Sequence, residues 1–279
     1  MFHISNKDLS VSIDPKGAEL LSVVYKNTEY IWQKDPAIWS DAAPLLFPVV
    51  GRQLHFRYYY RGKEYHMPMH GFAREFPFAL IRQTERSVAM VQTENAQTLN
   101  WYPFPYRLES EFEVDSNTLI IRRILVNTGK EEMLYSLGEH PGYCIPSADA
   151  GCYLQFSAKE KAERWLLDDE IIDHSEPFLD GDTIAVTPEL FNRGALIFKK
   201  LASSAITLHR EEGRSVTVSL DGWDHLGIWA KPDAPYVCIE PWCGLASSKW
   251  SSYELTEKES IHVLKAGETA HHEMRIQFN

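Results

Sequence analysis

Apolar and polar residues alternate with a period of two along most of this chain, as strands with one buried face require. His272, Met274, Ile276 and Phe278 alternate with Glu273, Arg275 and Gln277, and Val216, Val218 and Leu220 repeat the pattern. Turn residues break these runs into hairpins. Arg61-Gly62 separates 56–60 from 63–67, Thr84-Glu-Arg86 separates 78–83 from 87–92, and Asp115-Ser-Asn-Thr118 separates 106–114 from 119–126. Glu211-Glu-Gly213 is a further turn ahead of 216–220. Apolar repeats at helical spacing are nearly missing, and 160–167 would make at best two helical turns. Many short strands joined by turns predict an all-β sandwich or barrel with few short helices. Without repeats, low-complexity tracts or a Pro/Gly/Ser-rich linker, residues 1–279 are expected to form a single domain.

The composition changes that picture little. The chain has 279 residues, 44% of them apolar, enough for one large core. A formal net charge of −11 argues against nucleic acid or an anionic membrane as the main partner. The longest apolar stretch, 42–50, is too short to span a bilayer and carries Pro44 and Pro48. No basic-then-apolar leader is visible at the start, which predicts a cytoplasmic protein. Four cysteines in a chain of this length then read as reduced thiols rather than a disulfide framework.

Candidate chemistry centres on Pro235-Tyr-Val-Cys-Ile-Glu-Pro-Trp-Cys-Gly244. In a strand, Cys238 and Glu240 share one face, and an acid held among Cys238, Pro241 and Trp242 is desolvated. Desolvation raises a carboxyl pKa toward the range useful for a general base. Two histidine segments can complete an acid/base site: His66-Met-Pro-Met-His70-Gly-Phe-Ala-Arg74 and Gly138-Glu-His140-Pro-Gly142. His70-Gly71 permits a sharp turn with the imidazole at a cavity edge, and Arg74 follows within reach of a hydroxyl-rich or anionic ligand. His140-Pro141-Gly142 breaks the chain directly after an apolar strand, where sites commonly sit. Both could also be plain turns. His66 and His70 have an H-x3-H spacing that could bind zinc on a helix, but Pro68 between them makes a helix a poor fit, so no metal site is expected. Cys238 and Cys243 lack a redox spacing and read as packing thiols. No nucleotide or serine-hydrolase motif occurs. Of the eight tryptophans, Trp229 reads as core, whereas Trp242 lies close enough to Glu240 to face a ligand.

Taken in order, several segments resemble the aldose 1-epimerase (galactose mutarotase) superfamily and its LacX-like branch. They are Tyr30-Ile-Trp-Gln33, Pro44-Leu-Leu-Phe-Pro-Val-Val-Gly-Arg52, His70-Gly-Phe-Ala-Arg74, His140-Pro-Gly142, Leu226-Gly-Ile-Trp229 and Cys238-Ile-Glu-Pro-Trp242. The resemblance spans nearly the whole chain. It implies a β-supersandwich of the galactose mutarotase type and cofactor-free interconversion of the α and β anomers of an aldose. Arg52 and Arg74 admit a hexose phosphate as well as a free hexose, since guanidinium groups suit phosphate. By that likeness Glu240 is the base at the C1 hydroxyl, His140 the acid at the ring oxygen, and His70 and Arg52 bind the sugar, with acid and base facing each other across it. Better-known members carry a substrate-binding Asp between the second histidine and the final glutamate. Here 191–198 offers Gly194 in its place, and Asp224-His225 fits by type but sits just before the strand 226–229. A sugar-binding protein without catalysis, or a glycoside hydrolase or lyase pairing Glu240 with Glu139, Asp221 or Asp224, are the alternatives.

Overall fold

The computed structural model describes residues 1–148 and 150–279. The expected hairpins form at their turns. Arg57–Tyr60 pairs with Lys63–His66, Ala79–Gln83 with Ser87–Thr93, and Tyr106–Asp115 with Thr118–Asn127, all antiparallel. Ala205–His209 pairs with Ser215–Ser219 across Glu211-Glu-Gly213. Burial in Tyr106–Asp115 alternates strictly until the last residue, so the period-two pattern does correspond to one inward and one outward face. The last strand, Thr269–Phe278, likewise buries His272, Met274, Ile276 and Phe278.

One expectation fails. Residues 160–167 are not helical but lie inside a 16-residue strand, Tyr153–Asp168, which pairs with the 15-residue strand Ile171–Ala185. Register shifts in this ladder blur the alternation that would have marked it as a strand. The one α-helix among the described residues, Ala96–Trp101, is short and closed by an Asn95 capping box.

Four N-terminal strands, from Phe2–Ser5 to Thr28–Glu29, make an antiparallel sheet. A 15-stranded sheet takes most of the remaining strands. One contiguous core joins the two: Val11, Ile13 and Val23 belong to the same apolar cluster as Leu108, Phe112, Ile121 and Met274. At one end of the large sheet the order runs Leu45–Leu46, Leu137–Glu139, Tyr236–Cys243, His225–Trp229, Leu196–Lys199. These strands come from distant parts of the chain, so hydrogen bonding between them gathers the sequence motifs at one place. No helix among the described residues is long and apolar enough to cross a membrane.

Candidate active site

The strand Tyr236–Cys243 is buried at every position, so alternation along it cannot be read from burial. Its partner fixes the orientation instead. Glu240 stands opposite Gly227 and Cys238 opposite Trp229, and directly opposed residues project from the same face of a sheet. Glu240, Trp242, Gly227 and Trp229 therefore share one face. The glycines on this face and beside it make room for Trp242. A Cβ at Gly227 would lie 2.4 Å from the indole, and one at Gly138 would lie 2.6 Å from it. The Leu-Gly-Ile-Trp and Gly-Glu-His segments are thus strands that seat an indole.

This face forms part of the wall of a cleft of about 810 Å³. All six expected residues, Arg52, His70, Arg74, His140, Glu240 and Trp242, line it. His140 Nε2 is 3.2 Å from Glu240 Oε2. The two groups, expected from the resemblance to face each other across a sugar, touch on one wall. The reason is the short strand Leu137–Glu139, which pairs with Tyr236–Cys243 and delivers His140 beside it.

Burial dominates the electrostatics of this pair. It pushes the Glu240 carboxyl well above its usual pKa, against a smaller opposing pull from the Trp242 indole. It pulls His140 down to about 3 and His70 well below its usual value. Both members of the contact pair thus favour their neutral forms, with the proton on Glu240. Trp39 and Trp229 flank the His140 ring at 5.2 Å and 5.7 Å between centroids and supply much of the apolar surface that buries it.

His70 adopts a left-handed backbone with φ of 63°, and Gly71 follows at 75°. A side chain at Gly71 would strike the Phe47 carbonyl at 2.1 Å, so only glycine permits this turn. The Gly51 N–H donates to His70 Nδ1 at 3.1 Å, which leaves the ring proton on Nε2 as a donor. Beneath His140, Arg123 grips Glu139 through two hydrogen bonds of 2.6 Å and 2.8 Å, both residues buried. That pair anchors the histidine segment to the large sheet, and it commits Glu139 elsewhere.

The two arginines are not free. Arg52 binds Asp169, through both its carboxylate at 2.6 Å and its carbonyl oxygen. Asp169 sits at the tip of the long hairpin, whose wall is tied down where the Ile172 N–H donates to Ser247 O and the Lys249 N–H to Ile172 O. Arg74 lies 3.6 Å from Asp41. Of the proposed acids, Asp224 does not line the cleft and instead pairs with His262 at 2.6 Å. Gly194 does line it, between Arg193 and Ala195. His66 ends a strand, exposed and 3.5 Å from Glu64. All four cysteines are free thiols.

Sequence reasoning missed two aromatic walls. Trp229, expected in the core, and Trp39 are partly exposed and line the cleft, whereas Trp242 is almost wholly buried. Register with Glu240 would have exposed Trp229, had the pairing been known. Trp39 carries no local signal, and it reaches the site because Gly142 offers its ring a side-chain-free surface.

The model of the family described as aldose 1-epimerase matches residues 1–277. The chain belongs to that family. Two LacX proteins of Lactococcus lactis subsp. lactis, plasmid and chromosomal, are each 28% identical to this family member, with 92% of both chains covered. A galactose mutarotase related enzyme from Lactobacillus acidophilus superposes with a TM-score of 0.95 at 30% identity, over 100% of this chain and 97% of that one. A galactose mutarotase-like protein from Lactobacillus casei gives 0.94 at 26% identity, covering both chains fully. The fold is therefore galactose mutarotase-like and mostly β, as the sequence pattern and its resemblance led us to expect.

Proposed function

We propose that this protein is an aldose 1-epimerase acting on a hexose by general acid/base ring opening. The observation that carries the reading is the Glu240–His140 contact at 3.2 Å inside a cleft walled by Trp39 and Trp229. The C1 hydroxyl oxygen and the ring oxygen are bonded to the same carbon. A carboxylate and an imidazole that touch each other can therefore address both at once. Glu240 as carboxylate takes the C1 hydroxyl proton while protonated His140 delivers one to the ring oxygen. The C1–ring-oxygen bond breaks and the C1 carbonyl forms. Rotation about C1–C2 turns the other aldehyde face to the C5 hydroxyl, and the reverse transfer closes the opposite anomer. The proton count on the pair is the same before and after.

The working pair must hold one proton in total, either as neutral acid and neutral imidazole or as the ion pair. Moving that proton across the contact converts one form into the other, and the sugar hydroxyls stabilise the ionic form. His70 donates through Nε2 to a sugar oxygen. Arg52 and Arg74 stand beside Asp169 and Asp41 and offer hydroxyls both donors and acceptors. Carboxylates at those positions repel phosphate, which favours a free hexose over its phosphate ester.

One observation supports a second reading, sugar binding without turnover. Gly194 lines the cleft on the segment where an acid was expected. Exchange of α and β anomers, followed by NMR for free hexoses and hexose 6-phosphates with Glu240→Gln as control, separates the two. Catalysed exchange abolished in the variant supports the epimerase. Saturable sugar binding with unaccelerated exchange selects the binder.

A further inference from the structure

Behind the cleft, on the other face of the strand that carries Glu240 and Trp242, three side chains from separate strands and loops converge. The ligand atoms of Asp224, Cys243 and His262 all lie within 4.8 Å of one another. The carboxylate and imidazole are already in contact, with Asp224 Oδ2 2.6 Å from His262 Nε2. Cys243 supplies a buried sulfur beneath them, while the Asp224 and His262 side chains keep 44% and 33% of their exposure. That gradient leaves an approach from solvent to a thiol that is otherwise enclosed.

We propose that Asp224, Cys243 and His262 form a binding site for a thiophilic divalent cation, zinc by its chemistry. One thiolate, one imidazole and one carboxylate is a donor set zinc accepts, with bonds of about 2.0–2.3 Å. Donors around such an ion stand about 3–4 Å apart, so side-chain rotations of the order of an ångström close the cluster onto it. Water completes the fourth position on the exposed side. Sulfur and imidazole select against magnesium and calcium, which take oxygen donors. On binding, the Cys243 S–H bond gives way to a metal–sulfur bond. The displaced proton leaves to solvent along the open side of the site, between the partly exposed Asp224 and His262.

Backbone hydrogen bonds fix the frame that carries the three side chains. The Asp224 N–H donates to Trp242 O at 3.0 Å, so Asp224 is fixed to the residue preceding Cys243. His262 opens the strand His262–Leu264, which pairs with Met133–Tyr135. A bound cation would cross-link these elements directly behind Trp242. Its sequence spacing gives no hint of this, because the ligands are scattered over 224–262 in no known zinc pattern. The proposal does not depend on the sugar reaction.

A second trio, His140, Cys238 and Glu240, lies within the same 4.8 Å limit, with Cys238 buried behind the cleft wall, and provides the internal control. The test is titration of the intact protein with Co2+, read by absorption, followed by displacement with Zn2+. One equivalent bound with a thiolate-to-cobalt charge-transfer band is expected, retained in Cys238→Ser and lost in Cys243→Ser. Zn2+ affinity should fall at least tenfold in His262→Gln and Asp224→Asn, whose partly exposed side chains make misfolding a lesser concern if Cys243→Ser fails to fold. A band that disappears in Cys238→Ser, affinity unmoved in His262→Gln, or no stoichiometric binding overturns the proposal.

Discussion

Replacing Glu240 by glutamine keeps the shape of the side chain and removes its titration, so two independent consequences follow. The first is catalytic. Positioned proton transfer contributes about 10²–10⁴ in rate, and anomer exchange should fall by that factor, equivalent to about 2.7–5.4 kcal/mol of barrier. The second concerns stability and has the opposite sign. Burial raises the folded-state pKa of Glu240 well above its ordinary value of 4.5. Between 4.5 and that raised value the unfolded chain has lost its proton while the folded one retains it. Stability therefore drops by about 1.4 kcal/mol for each pH unit in this window, a cost the amide does not carry. Glu240→Gln should match the wild type below pH 4.5 and grow progressively more stable than it above. Urea unfolding at half-unit pH steps, beside NMR anomer exchange on the same samples, reads both effects. Parallel stability curves would show that the carboxyl is not desolvated as described. Exchange retained within threefold would remove Glu240 from the reaction.

Four further outcomes are expected. His70→Asn should lower kcat/KM about three- to tenfold, the worth of one hydrogen bond to substrate, as measured by polarimetry. Gly227→Ala puts a methyl 2.4 Å from the Trp242 ring and should destabilise the fold by about 1–3 kcal/mol in urea titration, with a loss of activity as the indole shifts. Arg123→Met leaves Glu139 buried without its partner and should cost about 3–5 kcal/mol in denaturant unfolding. Burial lowers His140 to about 3 and His225 and His272 to about 4, so the unfolded chain binds protons first as pH falls below 6.5. Stability should decline from that point by up to about 1.4 kcal/mol per pH unit for each histidine, levelling as the pH reaches the folded-state values. Unfolding midpoints at pH 7, 6 and 5 check it.

Local pattern carried the fold class, because a strand with one buried face must repeat every second residue whatever its neighbours are. Hairpins such as Arg57–Tyr60 with Lys63–His66 were readable for the same reason, their turn chemistry being local. The pattern failed in Tyr153–Asp168, where shifts of register break the alternation. Glu240, His140 and His70 were legible because each stands in a segment whose proline or glycine marks a special backbone. What no single segment could disclose was pairing. The match of Gly227 to Glu240 sets which tryptophan faces the cleft, and the short strand Leu137–Glu139 sets His140 beside Glu240. Likewise, Arg52 meets Asp169, and Asp224 meets His262 outside the cleft, only after widely separated stretches of chain have come together. Periodicity is a property of neighbours along the chain, whereas a site's geometry follows from long-range hydrogen bonding between strands that the sequence order leaves far apart.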